Sequence, residues 1–262
     1  MNKTNDQREI ALITGASSGI GTDFARLLAA RGYDLVLTAR RTDRLQALKT
    51  ELAATGRRVE VIPEDLGVAG GAESLIQKVE ALGWPISFLV NNAGFGLHGD
   101  FTDNPPDRVL QMLHLNIVGL TTLTGHFARL MRGRGHGRIL QVASVAAYQP
   151  TPYYAAYAGT KAYVLFLSEA LNFELRGSGV TVTTLNPGVT ETEFHDVAEH
   201  PKTGFIGSTR MTAKAVAEIG INAALRGQAV ITPGIINKIA GLATKLVPRS
   251  VATFLAGLMM RH

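Results

Sequence analysis

Tyr157 and Lys161, four residues apart in the stretch "YAGTK", are the residues best suited to acid–base chemistry. A free phenol has a pKa of roughly 10 and is a poor base near neutral pH. A neighbouring ammonium favours the phenolate and lowers that value. In a helix, residues four apart project from one face. A phenol tuned in this way could act as a general acid or base. The same spacing also suits plain packing of two common residues, so its meaning depends on the rest of the chain.

A second stretch, "TGASSGIG" (14–21), lies between the apolar run "IALIT" (10–14) and the amphipathic segment "IGTDFARLLAARG" (20–32). Gly15, Gly19 and Gly21 allow a tight turn and a close backbone approach, with Ser17, Ser18 and Ile20 between them. The helix that follows would present free N–H groups and the positive end of its dipole to a phosphate. The glycine spacing is G-x-x-x-G-x-G rather than the common G-x-G-x-x-G.

These residues need a framework, and the hydrophobic pattern supplies one. Strands are expected at 10–14, 34–39, 58–63, 86–92, 138–144, 180–186 and 228–232. Helices are expected at 20–32, 44–56, about 68–82, about 105–132 and 154–176. The strands are nearly continuous apolar runs, as burial on both faces requires. Strands alternating with helices give right-handed crossovers and a parallel sheet. The expected fold is α/β, a Rossmann-type doubly wound sheet of about seven strands. Residues 1–262 read as one domain, with a flexible N-terminus (1–8) and a helical appendage (235–262).

Composition narrows the function classes. The chain has 262 residues, 46% of them apolar and 18% charged, and no cysteine. Disulfides, thiolate metal sites and cysteine nucleophiles are excluded. The N-terminus lacks the apolar stretch of a secretory signal, and no window has the roughly 18 uncharged apolar residues of a spanning helix. A cytoplasmic location fits. The net charge of +5 is scattered. Its densest cluster, "RLMRGRGHGR" (129–138), reads as a solvated Gly-rich loop, and no aromatic-plus-basic stripe suggests a nucleic-acid surface. His195 and His200 lack obvious partners, so no metal site is expected.

The motifs together resemble the short-chain dehydrogenase/reductase family. "TGASSGIG" is followed by "NNAG" (91–94), Asn116 in "HLNIVG", Ser144, Tyr157 and Lys161, and "NPG" (186–188), in that order and at the expected strand ends. The resemblance spans residues 8 to about 232. It implies a hydride-transferring enzyme in which Tyr157 exchanges a proton with a carbonyl oxygen and Ser144 hydrogen-bonds the same oxygen. It also implies that Lys161 binds the nicotinamide ribose and that Asn116 holds a water of a proton relay. Asn116 could equally kink or cap a helix, and Ser144 could merely close a strand. Ser87 in "ISFLVNN" departs from the family's usual Asp at a supporting position.

The second strand ends "LTARR". An NAD site usually places a carboxylate there for the ribose hydroxyls. Here Ala39 takes that position, and Arg40, Arg41 and Arg44 follow with no competing acid. Guanidinium binds phosphate bidentately, so the expected cofactor is NADP(H). The resemblance adds Asp65 and Leu66 at the adenine, and Asn92, Ala93, Gly94, Pro187 and Gly188 along the dinucleotide. It further puts the Val189–Thr190 backbone and the Thr192 side chain at the carboxamide.

On the substrate side, 193–210 reads as a loop and short helix carrying Phe194, Phe205 and Ile206, which suits an apolar substrate. Tyr153 and Tyr154 would line the mouth or pack. The tail (235–262) reads as two amphipathic helices split at Pro248, serving as a lid, an oligomer contact or a membrane-surface anchor. The expected activity is NADP(H)-dependent carbonyl reduction or alcohol oxidation by a homo-oligomer, dimer or tetramer. The alternatives are a 3-ketoacyl-(acyl carrier protein) reductase, with 129–138 meeting an acidic carrier, and a non-catalytic NADP(H) sensor.

Overall fold

The apolar runs become strands of one sheet in the computed structural model of the chain, which describes residues 9–193, 210–244 and 246–261. Phe194, His195, His200, Phe205 and Ile206 lie outside the described residues. The strands are β1 (Ile10–Thr14), β2 (Asp34–Ala39), β3 (Val59–Pro63), β4 (Phe88–Asn91), β5 (Gly137–Val142), β6 (Val180–Leu185) and β9 (Val230–Ile231). All pair in parallel, in the order β3-β2-β1-β4-β5-β6-β9. A short pair, β7 (Thr190–Glu191) and β8 (Met211–Thr212), lies outside that sheet. The order reverses direction at β1 and β4, and such a switch point opens a crevice beyond the carboxyl ends of the strands.

Alternation along β1 shows how both faces are covered. Ala11 and Ile13 join a core with Phe24 and Leu28 of α1 (Gly19–Ala30), Leu45 and Leu48 of α2 (Thr42–Leu52), and α7 (Ala213–Leu225). Ile10 and Leu12 point the other way, toward α3 (Gly71–Ala81), α5 (Leu120–Arg134) and Leu171 and Leu175 at the end of α6 (Ala155–Glu174). Successive strand residues point to opposite faces, so a fully apolar run is what a doubly covered sheet requires.

One expectation gains detail and one needs correction. The helical segments read over about 105–132 are three pieces: α4 (Pro106–Leu113), a π-helical stretch at His114–Gly119, and α5. Tertiary hydrogen bonds from Asn116 hold that stretch, and hydrophobic period does not reveal them. The loop read at 129–138 is mostly helix. α5 runs through Gly133 to Arg134 and ends at Gly135, whose φ of 71° is the usual left-handed stop. Burial of Phe127 and Met131 outweighs the roughly 1 kcal/mol helix cost of Gly133. Ser87 meets its supporting role: its Oγ accepts from Ile10 N at 3.1 Å and donates to Ile10 O at 3.3 Å.

The tail forms α8 (Ile235–Ala243) and α9 (Arg249–Met260), with Pro248 as the N-cap of α9. Among the described residues, no helix is long and apolar enough to cross a membrane.

A buried polar hub sits beneath the middle of the sheet. Thr124 Oγ1 accepts from Asn91 Nδ2 at 3.0 Å and Gln141 Nε2 at 2.7 Å, and donates to Leu120 O at 2.6 Å. Replacing this hydroxyl by a methyl strands two buried amides. Thr124→Val is therefore expected to lower unfolding stability by about 2–4 kcal/mol, seen as a reduced urea midpoint at unchanged slope.

Candidate active site

The crevice is a cleft of about 420 Å³ at the carboxyl ends of the parallel strands. The β1–α1 turn forms one wall, with Gly15, Ser17, Ser18, Gly19 and Ile20 on its lining. Gly21 backs the turn: a Cβ there would lie 2.1 Å from Gly15 O. Asn92, Ala93 and Gly94 continue the wall after β4. Asn92 Nδ2 donates to Thr14 O at 3.0 Å and so locks the two strand ends together. Pro187, Gly188, Thr190 and Thr192 line the far side after β6.

At the head of the cleft stand Ser144, Tyr157 and Lys161. Tyr157 and Lys161 face one way from α6, as their spacing predicts, and both are buried. Lys161 Nζ donates to Val142 O at 2.8 Å and lies 5.7 Å from the centre of the Tyr157 ring. The electrostatics differ from the sequence expectation. Burial pushes the Tyr157 hydroxyl up to about 12, opposed by its hydrogen bond with Ser144, and burial pushes Lys161 down to about 8. Helical spacing puts the two groups on one face, but burial decides the direction in which each shifts. Tyr154 packs edge-on to Tyr157, with ring centres 5.8 Å apart, and lines the cleft. Tyr153, with φ of 64°, is the turn residue just before α6.

Asn116 stands behind the lining. Its Oδ1 accepts from Phe95 N at 3.2 Å, and its Nδ2 donates to Phe95 O at 2.9 Å and Thr160 Oγ1 at 3.1 Å. It ties the π-helical stretch to the loop after β4 and to α6.

The other end of the cleft carries Arg40, Arg41, Asp65 and Leu66. Arg41 Nε donates to Ser17 Oγ at 3.3 Å, and Arg40 lies 3.9 Å from Asp65. The expectation that no acid competes here is corrected. Glu193, which follows Thr192, reaches across the mouth and pairs with Arg41 at 2.8 Å and Arg44 at 2.6 Å. Those two hydrogen bonds hold its carboxyl below the usual range. Its position beside Thr192 was the available signal, but its partners lie 149 and 152 residues away. Met260 at the end of α9 also lines the cleft and was not foreseen. His98 Nε2 lies 3.3 Å from Met260 O and holds that end of the helix in place. Among the described residues, no group of three metal-ligating side chains exists.

A glycine cradle at a helix N-terminus, guanidinium groups at one end and a Ser–Tyr–Lys set at the other suit a dinucleotide. A Cβ on Gly15 would stand 2.9 Å from Ala93 Cα, so the bare backbone is needed where a pyrophosphate would approach. This fold and cleft have the form of a dinucleotide-binding α/β protein. The short chain dehydrogenase family profile matches residues 9–203, and the chain belongs to that family. A short chain dehydrogenase of Pseudocercospora fijiensis is 34% identical over 190 residues, which cover 72% of this chain and 62% of that protein. The match thus leaves over a third of that relative's length uncovered. A short-chain dehydrogenase from Sphingobium yanoikuyae in complex with NADPH superposes with a TM-score of 0.81 at 32% identity, covering 91% of this chain and 94% of that one. One from Burkholderia phymatum in complex with NAD gives 0.79 at 26% identity, covering 91% and 92%.

The lowered Lys161 generates a pH prediction. A ribose hydroxyl accepting from the ammonium would raise its pKa again, so binding above about pH 8 must take up a proton. Dinucleotide affinity should therefore fall above that pH, by up to about tenfold per unit, in a titration of protein fluorescence. Lys161→Met should flatten the profile.

Proposed function

We propose that the chain is an NADP(H)-dependent carbonyl reductase or alcohol dehydrogenase acting on apolar substrates. The observation that carries this reading is one cleft with Ser144 and the buried Tyr157 and Lys161 at its head and Arg41 at the opposite end, where Arg44 joins it through their shared partner Glu193. Nicotinamide, when bound, supplies or accepts the hydride. The chain's own residues do the rest. The Tyr157 phenol is protonated at neutral pH and burial holds it further from ionisation, so it can give its proton to a carbonyl oxygen as negative charge develops there. Ser144 donates a second hydrogen bond to the same oxygen. Lys161 puts a positive charge beside the phenolate that results and binds the ribose. Asn116 positions the π-helical stretch behind Lys161 and holds the water of a proton relay.

The cradle of Gly15, Gly19 and Gly21, with Ser17, Ser18 and Ile20, takes the pyrophosphate. Asp65 and Leu66 flank the adenine, and Pro187, Gly188, Thr190 and Thr192 flank the carboxamide. Arg41 and Arg44, joined by Arg40, take the 2′-phosphate, displacing Glu193. A partly exposed ion pair contributes only about 0.2–1 kcal/mol, so a near-dianionic phosphate competes successfully with it. Phe95, Tyr154 and Met260 make an apolar wall for the substrate. The exposed Phe166 and Phe173 of α6 support self-association, as a dimer or tetramer.

The carrier-bound 3-ketoacyl alternative is weaker. Residues 129–138 lead into the amino end of β5, whereas the cleft lies beyond its carboxyl end. A carrier docked there would be badly placed to deliver its chain. A non-catalytic sensor has no need of the complete Ser–Tyr–Lys set.

Two experiments test the reading. In a carbonyl panel followed by NADPH absorbance, Tyr157→Phe should lose about 10²–10⁴-fold in kcat with NADPH affinity retained. A variant as active as the parent would remove the proposed acid. Arg41→Ala with Arg44→Ala should weaken NADPH binding by about 10- to 100-fold and leave NADH nearly unchanged. Glu193→Gln should tighten NADPH binding about two- to fivefold.

A further inference from the structure

The C-terminal helices are built inside out. Apart from Asn237 and Met260, the residues that α8 and α9 turn toward the protein are small. Gly241 of α8 lies against Tyr148, where a Cβ would come within 2.8 Å of the ring. Ala252 and Ala256 of α9 are buried, and a Cβ on Gly257 would touch Pro152 at 3.3 Å. The large apolar side chains point outward. Ile235, Ile239 and Leu242 of α8, together with Leu246 just beyond it, repeat at helical spacing, and each is more than half exposed. On α9, Phe254, Leu255, Leu258 and Met259 are also more than half exposed. A surface helix normally buries its large apolar residues and shows water its polar face. An apolar area of this extent calls for a cover.

Charge decides which cover. No Asp or Glu follows Glu218 in the chain. Lys238, Arg249 and Arg261 are exposed around the apolar residues. A second copy docked through the same face would bring two uniformly basic surfaces together, because a two-fold contact pairs each patch with itself. An anionic bilayer answers both features at once. Its acyl boundary takes the apolar side chains and its headgroups attract the cations, each basic residue near the surface strengthening attachment about fivefold.

We propose that α8 and α9 form a peripheral attachment surface for anionic lipid bilayers. Met260, the last residue of α9, is part of the cleft wall, and His98 ties it there. Attachment therefore brings the substrate end of the cleft to the lipid surface, where an apolar carbonyl compound would partition. That last consequence rests on the carbonyl-reductase reading, whereas the attachment itself does not.

The test is co-sedimentation of the full chain with vesicles of phosphatidylglycerol and phosphatidylcholine, run beside vesicles of phosphatidylcholine alone. The parent should pellet with the anionic vesicles at least tenfold more strongly than with the neutral ones. Phe254→Asp with Leu258→Asp should lose that binding at least tenfold, with an unchanged circular dichroism spectrum. Lys238→Glu with Arg249→Glu should lose most of the preference for anionic vesicles. A parent that stays in the supernatant overturns the proposal. So does a parent that fails to pellet and whose dimer, seen by light scattering, falls to a monomer in the Phe254→Asp/Leu258→Asp variant, since the cover is then a second copy. Neither result depends on finding a substrate or on the preferred cofactor.

Discussion

The site depends on keeping an ammonium group buried. Lys161 is 4% exposed, and its Nζ donates to the carbonyl of Val142 at the end of β5. Burying a cation is expensive unless the surroundings supply acceptors or a partner. Here a long, well-packed helix and the ends of two neighbouring strands hold it in place. The lowered pKa of Lys161 and the raised pKa of Tyr157 both record that cost of desolvation. A site that holds a proton donor and a cation in a dry cleft stores electrostatic free energy, which a ligand offering acceptors and charge can release. The sheet and its two apolar cores supply the rigidity that keeps this arrangement from relaxing.

The rest of the cleft is organised around the same strand ends. Parallel strands deliver their carboxyl termini to one edge, and the reversal of order at β1 and β4 leaves that edge open. The glycine turn, the Asn92 lock and the Asn116 ties are local devices that keep the edge open at fixed width. Asn92 joins β4 to β1, and Asn116 joins the loop after β4 to α6. Polar side chains do this work because they bond backbone groups that would otherwise be buried without partners. The π-helical stretch belongs to the same economy of hydrogen bonds. From it Asn116 bonds both Phe95 and Thr160.

At the phosphate end, the balance is finer. Glu193 crosses from the loop after β6 to the arginines at the start of α2. The pair is partly exposed, so it closes the mouth without sealing it. A carboxylate in that position offers an acceptor to a ribose hydroxyl, whereas a phosphate must displace it. An acid thus pairs with these arginines although strand β2 ends on Ala39.

Most of the fold was legible because it depends on patterns that are local in sequence. Continuous apolar runs of five or six residues, separated by amphipathic segments, can hardly form anything but a doubly covered parallel sheet. Gly15 and Gly21 are legible for the same reason, since the crowding they relieve lies within one turn and its neighbouring strand. The pairing of Tyr157 with Lys161 on one face follows from helical geometry alone. What the sequence by itself could not determine are quantities that depend on surroundings. The pKa directions of Tyr157 and Lys161 follow from burial, which no spacing encodes. The helix through Gly133, the π-helical stretch, the Glu193 bridge and the arrival of Met260 at the cleft all join residues far apart in the chain. Only the folded structure decided them, because each results from a contact whose two halves carry no local sign of one another.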